Sequence, residues 1–331
     1  MKKREKRAAA VLLLLAACLA TGCRAGRQAE PLEDAKEISE ELTWERSMEL
    51  RCATEFQADY YEGGFVLLTI PRDGRYLVVP EGKEPPSDLN GEIVILRQPV
   101  NNIYLVASAV MDMFVSMDAL DQVGFSGLKT DSWYIEEARE AMEQGAILHA
   151  GSYAAPDYEQ IMAKGCGLAV ENTMIYHTPE VKEQLEKLGV PVLVDYSSYE
   201  SNPLGRTEWI RLYGALIGKE AEAEEAFEAE VKAFQSVDQK KKTGSTVAFF
   251  YITANGEVNV RRSSDYLPKM IEMAGGSYVF DHLGDEEDTA SSNVTMQMEE
   301  FYAAARDADY IIYNSTTTEE LSSVEDLLDK N

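Results

Sequence analysis

The sequence predicts an α/β protein of two lobes, each built on a parallel sheet, with a long linking helix between them and a β-meander before the first lobe. Short apolar runs alternate with helical patterns from residue 92 onward, and this alternation implies right-handed βαβ units. The alternation is interrupted once by a long helical segment and then begins again. A length of 331 residues also suits about two domains at roughly 150 residues each.

Residues 1–22 are predicted to be a lipoprotein signal peptide. A mainly basic segment (residues 2–7) precedes thirteen apolar residues (8–20), which are too few to cross a hydrocarbon core of roughly 30 Å as a permanent helix. Small residues then lead to Cys23, in a pattern similar to the lipobox of bacterial lipoproteins, whose cysteine is lipidated and becomes the mature N-terminus. We therefore predict lipidation at Cys23. Cys18 also fits the pattern, but cleavage there would leave an apolar core of only about seven residues.

The segment after the signal peptide, residues 23–48, is predicted to be a tether, because it is acidic, polar and poor in core-forming residues. Two cysteines remain beyond it, Cys52 and Cys166. They are expected either to form a disulfide or to be two separate buried thiols. The sequence contains no CxxC pair, which excludes a zinc knuckle or a thioredoxin-type centre.

Residues 49–91 are predicted to form the β-meander. Two β-rich runs, residues 65–70 and 76–79, flank a Pro-Arg-Asp-Gly sequence at residues 71–74. Because proline, aspartate and glycine each favour turn conformations, this pattern predicts a hairpin.

The first lobe is assigned to residues 92–205 and the second to residues 244–331. In the first lobe, the apolar run 93–96 is predicted to be the opening strand and residues 101–120 the helix that follows it. In the second lobe, residues 246–252 are predicted to be the opening strand, and further helices and one strand follow.

Residues 206–243 are predicted to form two linking helices. In the longer of them Phe227, Val231 and Phe234 make one apolar stripe, with glutamates around the rest of the surface. A single stripe of this kind buries one face of a helix. The segment therefore links the lobes and packs on one side.

Composition excludes several functional classes. The chain has 31 Lys+Arg against 58 Asp+Glu, a net charge of −27, whereas nucleic-acid binding and binding to anionic membrane surfaces require clustered positive charge. The 17 Tyr, 10 Phe and 3 Trp are too many for a disordered chain. There are only three histidines, and no GxSxG, HExxH or phosphate-binding P-loop motif is present. We therefore expect a protein that is not an enzyme and has no cofactor.

Four segments resemble substrate-binding proteins of ABC importers for iron–siderophore complexes, haem and cobalamin. These segments are residues 93–99, 156–170, 198–210 and 270–276, and the resemblance rests on their order and spacing. It implies two Rossmann-like lobes, a ligand held in the cleft between them and delivery to membrane permease subunits. Family members continue beyond a strand such as residues 310–313 with another strand and a helix, so an incomplete second lobe is one expectation.

The ligand of an open α/β sheet lies beyond the carboxyl ends of its strands, and the predicted loops there carry arginines and aromatic residues. Arginine pairs with carboxylate or catecholate oxygens, and aromatic rings offer rigid contact area, so the expected ligand is an anionic ferric siderophore. Arg261 and Arg262 are favoured further because they precede a helix predicted to start near Ser264, where free N–H groups also attract anions. The candidate ligand-binding residues are Arg97, Gln98, Trp133, Tyr153, Tyr176, Tyr196, Tyr251, Arg261 and Arg262, and the same loops carry Tyr134 and Tyr199.

Other ligands and roles remain open. A haem or cobalamin would suit the same transporter class. A related branch of binding proteins holds bare zinc or manganese with histidines and carboxylates, and the candidates here are His149, His177 and His282, although their spacing matches no ligand motif. An adhesive or structural lipoprotein without a small ligand is the alternative of another class.

The resemblance also implies one exposed glutamate on each lobe that pairs with arginines of the permease. The matching positions are Glu159, with Ile161 and Met162 packing its helix inward, and Glu299, with Glu300 as the alternative. A carboxylate that merely stabilises a helix start would look the same in sequence. We expect a monomer that reaches the membrane through its N-terminal lipid.

Overall fold

The computed structural model describes residues 37–237, 242–284, 292–315 and 323–328. The predicted signal peptide, Cys18, the predicted lipidation site Cys23 and part of the predicted tether lie outside these residues. Within the described residues, no helix combines the length and apolar character that a membrane span requires.

The strands and helices follow one another along the chain in mixed order. The strands are β1 (Trp44–Ser47), β2 (Gln57–Tyr61), β3 (Phe65–Ile70), β4 (Gly74–Val79), β5 (Val94–Arg97), β6 (Ile103–Leu105), β7 (Val123–Ser126), β8 (Leu148–His149), β9 (Gly151–Ser152), β10 (Ala155–Pro156), β11 (Ala169–Asn172), β12 (Val192–Asp195), β13 (Thr246–Ile252), β14 (Val258–Arg261), β15 (Ser277–Tyr278), β16 (Asn293–Met296) and β17 (Tyr310–Tyr313). The helices are α1 (Ser108–Ser116), α2 (Glu136–Glu143), α3 (Tyr158–Ala163), α4 (Pro179–Lys187), α5 (Pro203–Ile217), α6 (Glu220–Ser236), α7 (Tyr266–Met273), α8 (Met298–Ala305) and α9 (Val324–Leu328).

In the N-terminal sheet, strands β1 to β5, the central strands β3 and β4 are buried on both faces. Its strands follow in sequence order, and every neighbouring pair is antiparallel except β4 and β5, which are parallel. Alternate residues of β3 and β4 point into two different cores. Leu67 and Leu77 pack with Ile38 on the outer face, whereas Val66 and Val78 join the core of the first lobe.

The prediction that residues 93–96 open the first lobe is wrong. They form most of β5, which pairs with β4 at the edge of the N-terminal sheet. A short, wholly apolar run fits any strand that has a covered face, so the sequence pattern alone does not determine the sheet to which it belongs. Ile93 and Ile95 pack against the outer core of the N-terminal sheet.

The sheet of the first lobe is parallel throughout, with the order β12-β11-β6-β7-β8. Its first strand along the chain is β6, within residues that were predicted to be helical, and helix α1 begins only at Ser108. The spacing of Ile103, Val106 and Val110 fits a helix, but Ile103, Tyr104 and Leu105 are all fully buried. Strands β7 and β11 flank β6, and this pairing overrides the local helical pattern.

The two linking helices α5 and α6 pack closely on each other. The side chain of Asn202 accepts a hydrogen bond from the Leu204 N–H at the start of α5, and Gly218 ends α5 with a positive φ of 75°. A Cβ atom on Gly214 would lie 2.5 Å from the Cβ of Ala223, so the contact requires a glycine. Phe227 and Val231 of the predicted stripe are buried.

The second lobe has a mixed sheet rather than the predicted parallel one. Strand β13 is parallel to β15 and β17 but antiparallel to β14, and β14 is antiparallel to β16. Strands β14 and β16 were not predicted, because they are four residues long and each contains polar residues. The lobe has its own core, which includes Phe250, Phe280 and Phe301.

The two described cysteines are free thiols. Cys52 and Cys166 are each partly buried and do not form a disulfide. Burial raises the pKa of Cys166 to about 11, and its Sγ lies 3.3 Å from the Leu168 carbonyl oxygen. Of the two alternatives left open by the sequence, the structure therefore shows separate thiols.

Candidate ligand-binding site

A cavity of about 410 Å³ lies between the two lobes, and three arginines line it: Arg206, Arg261 and Arg262. Two aromatic rings, Tyr199 and Tyr266, line it as well. This volume falls within the range of about 300–1,000 Å³ that is usual for small-molecule sites.

The first lobe contributes to the cavity through the segments that follow β11 and β12. Thr173 begins the short helical turn Thr173–His177 directly after β11, and Tyr199 ends the turn Ser197–Tyr199 after β12. Both turns lie beyond the carboxyl ends of parallel strands, where ligands of open α/β sheets are expected. The position of the cavity therefore agrees with the fold.

Arg206 lies one turn into α5 and connects both sides of the cavity. Its Nε donates to the Glu200 carbonyl oxygen at 3.2 Å, and its Nη2 donates to the Ser198 carbonyl oxygen. Its Cζ lies 3.6 Å from the ring centroid of Tyr266 in the second lobe. Burial lowers the pKa of Arg206, and the nearby Arg261 lowers it further.

Arg206 was not among the predicted site residues, although it lies in residues 198–210, one of the segments that resemble substrate-binding proteins of ABC importers. The available signal was the helix start at Asn202 and Pro203, which places Arg206 one turn into the helix. That signal shows which helix carries the residue but not that the second lobe packs against it.

The second lobe contributes Arg261 at the end of β14 and Arg262 directly after it. The Arg261 Nη1 lies 3.7 Å from the Asp265 Oδ2. Asp265 also accepts a hydrogen bond from the Leu267 N–H at 3.0 Å, and α7 begins at Tyr266, two residues later than predicted. The Nε of Arg262 is buried without a hydrogen-bond partner among the described residues, and its Nη1 donates to the Gly284 carbonyl oxygen at 3.4 Å.

The cavity is positively charged although the chain carries a net charge of −27. Asp265 lies beside Arg261, but the other lining carboxylate, that of Glu200, is already occupied. It accepts hydrogen bonds from Thr54 N at 2.8 Å, Glu55 N at 2.9 Å and Trp209 Nε1 at 3.0 Å. Three guanidinium groups against two carboxylates leave the lining with a net positive charge, which suits an anionic ligand.

Three predicted site residues lie away from the cavity. Arg97 is exposed and its Nη2 lies 3.0 Å from the Glu84 Oε2, and the Gln98 Nε2 donates to the Leu216 carbonyl oxygen at 3.2 Å. Arg97 and Gln98 lie away from the cavity because β5, which ends at Arg97, belongs to the N-terminal sheet. Trp133 is 5% exposed and its Nε1 donates to the Ser126 Oγ at 3.0 Å, so it belongs to the core.

The remaining predicted tyrosines also lie outside the lining of the cavity. Tyr153 packs against the core of the first lobe, and Tyr251 is half-buried on β13. The hydroxyl of Tyr196 donates to the Arg72 carbonyl oxygen at 3.4 Å, and that of Tyr176 donates to the Asp73 Oδ1 at 3.4 Å. These two contact the hairpin of the N-terminal sheet instead.

The candidate docking glutamates are both exposed in the first turn of a helix. Glu159 lies on α3 and Glu299 on α8. Ile161 packs inward as predicted, but Met162 does not, because it is 42% exposed. Adjacent residues of a helix point about 100° apart, and on this six-residue helix only the face that carries Ile161 is buried.

The three histidines lie on separate, exposed parts of the chain. His149 ends β8, His177 ends the turn after β11, and His282 lies beside Asp281 in the second lobe. In the described part of the chain, no group of three His, Cys, Asp or Glu residues is placed to hold a metal ion.

Comparison with known sequences gives two distant relatives. No family model matches the chain. Two proteins of Methanocaldococcus jannaschii, named uncharacterized lipoproteins MJ0878 and MJ0872, are each 23% identical to it over 242 and 266 residues, which is 69% and 76% of this chain. The alignments cover 56% and 64% of those proteins, so the chain spans less than two thirds of the length of the curated relatives it matches.

Solved structures show a closer agreement in fold. The periplasmic heme-binding protein HutB of Vibrio cholerae superposes with a TM-score of 0.55 at 16% identity, covering 69% of this chain and 82% of that one. The periplasmic catecholate-siderophore-binding protein VctP of the same organism gives a TM-score of 0.54 at 14% identity, covering 71% and 80%. The heme-binding protein RhuT of Roseiflexus gives 0.52 at 17% identity, covering 69% and 82%.

The chain has the fold of a periplasmic binding protein. The resemblance inferred from the sequence is therefore confirmed at the level of the fold.

Proposed function

We propose that the protein is an extracytoplasmic substrate-binding protein of an ABC importer, and that it captures an anionic iron complex, a ferric siderophore, between its lobes. The observation that carries the proposal is the convergence of Arg206, Arg261 and Arg262 in one cavity beside Tyr199 and Tyr266. Guanidinium groups bind catecholate and carboxylate oxygens, and the tyrosine rings offer faces for flat aromatic groups.

The comparisons support the class of ligand and the location. VctP is named for a catecholate siderophore, and HutB and RhuT are named for heme. The two sequence relatives are named lipoproteins, which supports the proposal that Cys23 carries a lipid and holds the protein at the outer face of a membrane.

A siderophore suits the lining of the cavity better than haem does. Haem presents a broad apolar ring system, whereas the described lining offers the rings of Tyr199 and Tyr266, and Arg206 already stacks on the second. A compact complex with several peripheral anionic oxygens would instead engage all three arginines. Haem, cobalamin, bare zinc or manganese, and a role in adhesion without a small ligand remain the alternatives for the experiment.

Binding measurements with a small panel of ligands test the proposal. The purified protein is titrated with ferric tris-catecholate, a neutral ferric trihydroxamate, haemin, cobalamin, zinc and manganese, with intrinsic fluorescence and calorimetry as readouts. We expect saturable binding of the anionic ferric complex and much weaker binding of the neutral one. The absence of saturable binding for every ligand would contradict a transport function and favour the adhesive alternative.

Reversal of the charge of the two candidate docking residues should block uptake. Glu159→Arg and Glu299→Arg place a positive charge where permease arginines are expected to pair, and like charges across an interface cost several kcal/mol. Uptake of ferric tris-catecholate by cells carrying either variant should therefore fall by about tenfold or more, since 1.4 kcal/mol corresponds to a factor of ten. The purified variants should bind the ligand as the wild type does.

Glu137→Arg is the matched control for the docking experiment. Glu137 is also an exposed first-turn glutamate, but it lies on α2. All three substitutions lose the same helix-dipole interaction, about 0.3–1 kcal/mol, so a mere effect on stability would be shared by the control. Normal uptake with both docking variants would show that these residues do not contact the permease.

A further inference from the structure

The tip of the β3–β4 hairpin inserts a buried carboxylate into the first lobe. The side chain of Asp73 is 0% exposed. It accepts hydrogen bonds from Val194 N of β12 at 2.8 Å, from Lys182 Nζ of α4 at 2.9 Å and from the Tyr176 hydroxyl at 3.4 Å, and the Tyr76 hydroxyl donates to it from within the hairpin. One residue of the N-terminal sheet thus holds both β12 and the turn after β11.

The neighbouring residue, Arg72, contacts the turn after β12. Its carbonyl oxygen accepts the hydrogen bond from the Tyr196 hydroxyl, and its Cζ lies 5.4 Å from the ring centroid of Tyr199. The rings of Tyr196 and Tyr199 are themselves 5.1 Å apart. Because Tyr199 lines the cavity, the hairpin tip touches the side chain that faces the ligand space.

A second attachment runs through residues 51–55, which precede β2. Three consecutive backbone N–H groups of residues 51–53 donate to the buried carboxylate of Glu208 on α5. The next two N–H groups, those of Thr54 and Glu55, donate to Glu200 at 2.8 and 2.9 Å. Glu200 lies directly after the turn that carries Tyr199 and also lines the cavity.

We infer that the N-terminal sheet is part of the ligand-binding unit, and that Asp73 is a positioning residue for the first-lobe wall of the cavity. Its contacts reach residues 173–177 through Tyr176 and the end of β12 through Val194, while the neighbouring Arg72 contacts Tyr196 and Tyr199. This inference rests on the proposed function, since it assigns a role at the same cavity. A wall held in place before binding lowers the cost of ordering it when the ligand arrives.

Asp73→Asn tests the inference, and Asp88→Asn is its matched control. Asparagine keeps the shape of Asp73 but loses the charge that faces Lys182. Asp88 lies between β4 and β5 of the N-terminal sheet. It accepts hydrogen bonds from the Ser39 hydroxyl and, at 2.8 Å, from Glu40 N, so it contacts residues 39–40 and not the cavity. Each substitution removes one carboxylate that holds two segments together, but only Asp73 contacts the first lobe.

Two measurements separate positioning from general destabilisation. Hydrogen exchange without ligand should become about tenfold faster at residues 173–177 and 196–201 in Asp73→Asn, and should not change there in Asp88→Asn. The affinity for ferric tris-catecholate should fall about tenfold in Asp73→Asn only. Its dependence on salt concentration should stay as in the wild type, because Arg206, Arg261 and Arg262 are all still present.

Arg72→Gln keeps the test decisive if Asp73→Asn does not fold. The Arg72 side chain is 53% exposed, so its replacement leaves the core intact, yet it removes the contact with Tyr199. We expect faster exchange at residues 196–201 and an affinity about threefold lower. Unchanged exchange, or faster exchange with unchanged affinity in a folded variant, would overturn the inference. If the wild type binds no ligand, the proposed function is overturned instead. The exchange comparison is made without ligand, so it still tests whether Asp73 and Arg72 hold residues 173–177 and 196–201 in place.

Discussion

Replacing Arg206, Arg261 and Arg262 together with glutamine should weaken the binding of ferric tris-catecholate by about a thousandfold. A hydrogen bond to a charged group contributes about 1.5–3 kcal/mol, so three of them exceed the roughly 4 kcal/mol that corresponds to this factor. Calorimetry on the wild type and the triple variant measures the change directly. Glutamine keeps hydrogen-bonding capacity, so the loss reports mainly the positive charge.

The single substitutions should differ from one another. Arg206→Gln also removes the stacking on Tyr266 that joins the helical link to the second lobe, so it should lower the melting temperature as well as the affinity. Arg262→Gln should lower the affinity with a smaller effect on stability, because the hydrogen bond from its Nη1 to the Gly284 carbonyl oxygen is long, at 3.4 Å. The comparison distinguishes an arginine that also stabilises the fold from one that acts mainly on the ligand.

Arg97→Gln is the control for the arginine cluster. Arg97 was a candidate from the sequence, but the structure pairs it with Glu84 at the edge of the N-terminal sheet. An exposed ion pair of this kind contributes little, so affinity should not change. An equal loss of affinity in Arg97→Gln and in the triple variant would show that the cavity between the lobes is not the binding site.

The two lobes were predictable because alternating strands and helices leave a periodic pattern in the sequence. The boundary between the N-terminal sheet and the first lobe was not. Residues 93–96 and 103–106 are both short apolar runs, and local pattern does not decide which of them pairs with β4 and which with β11. Arg97 and Gln98 were misplaced as a direct consequence, because the loop after the wrong strand was taken as part of the cleft.

Only part of the candidate site could be predicted from the sequence. Arg261 and Arg262 are adjacent and precede a helix, so their common position follows from local structure alone. Arg206 joins them only because α5 packs against the start of α7, which is a tertiary contact without a local signal. Tyr176 and Tyr196 were expected at the cleft, but their hydroxyls donate hydrogen bonds to the hairpin of the N-terminal sheet. No pattern in residues 65–79 predicts that contact.

Glu171 should make the protein less stable as the pH rises from about 4.5 to about 8. This residue lies in β11 with 0% exposure, and neither of its carboxylate oxygens has a hydrogen-bond partner in the described part of the chain. Burial raises the pKa of Glu171 from 4.5 to about 8. Between these pH values the folded state holds a proton that the unfolded state has released, so the contribution of Glu171 to stability is fully present below pH 4.5 and is lost as the pH rises to about 8.

The size of this effect follows from the difference between the two pKa values. Each pKa unit corresponds to about 1.4 kcal/mol, so the free energy of unfolding should drop by on the order of 3–5 kcal/mol across this range from Glu171 alone. Asp195 acts in the same direction, since burial also raises its pKa, although Ser197 and Tyr213 donate hydrogen bonds to it. A comparison of variants is therefore needed to isolate Glu171.

Urea unfolding of the wild type and of Glu171→Gln at pH 5, 6, 7 and 8 provides that comparison. The variant should lose most of the slope and be the more stable protein at pH 8, because its amide carries no charge at any pH. An unpaired buried amide also costs free energy, but that cost is the same at each pH and leaves the slope unaffected. Glu159→Gln, at an exposed position on α3, should keep the slope of the wild type. Parallel curves for the wild type and Glu171→Gln would mean that the Glu171 carboxyl is already ionised at neutral pH. An ionised carboxylate requires hydrogen-bond donors around it, and none of the described residues donates to Glu171.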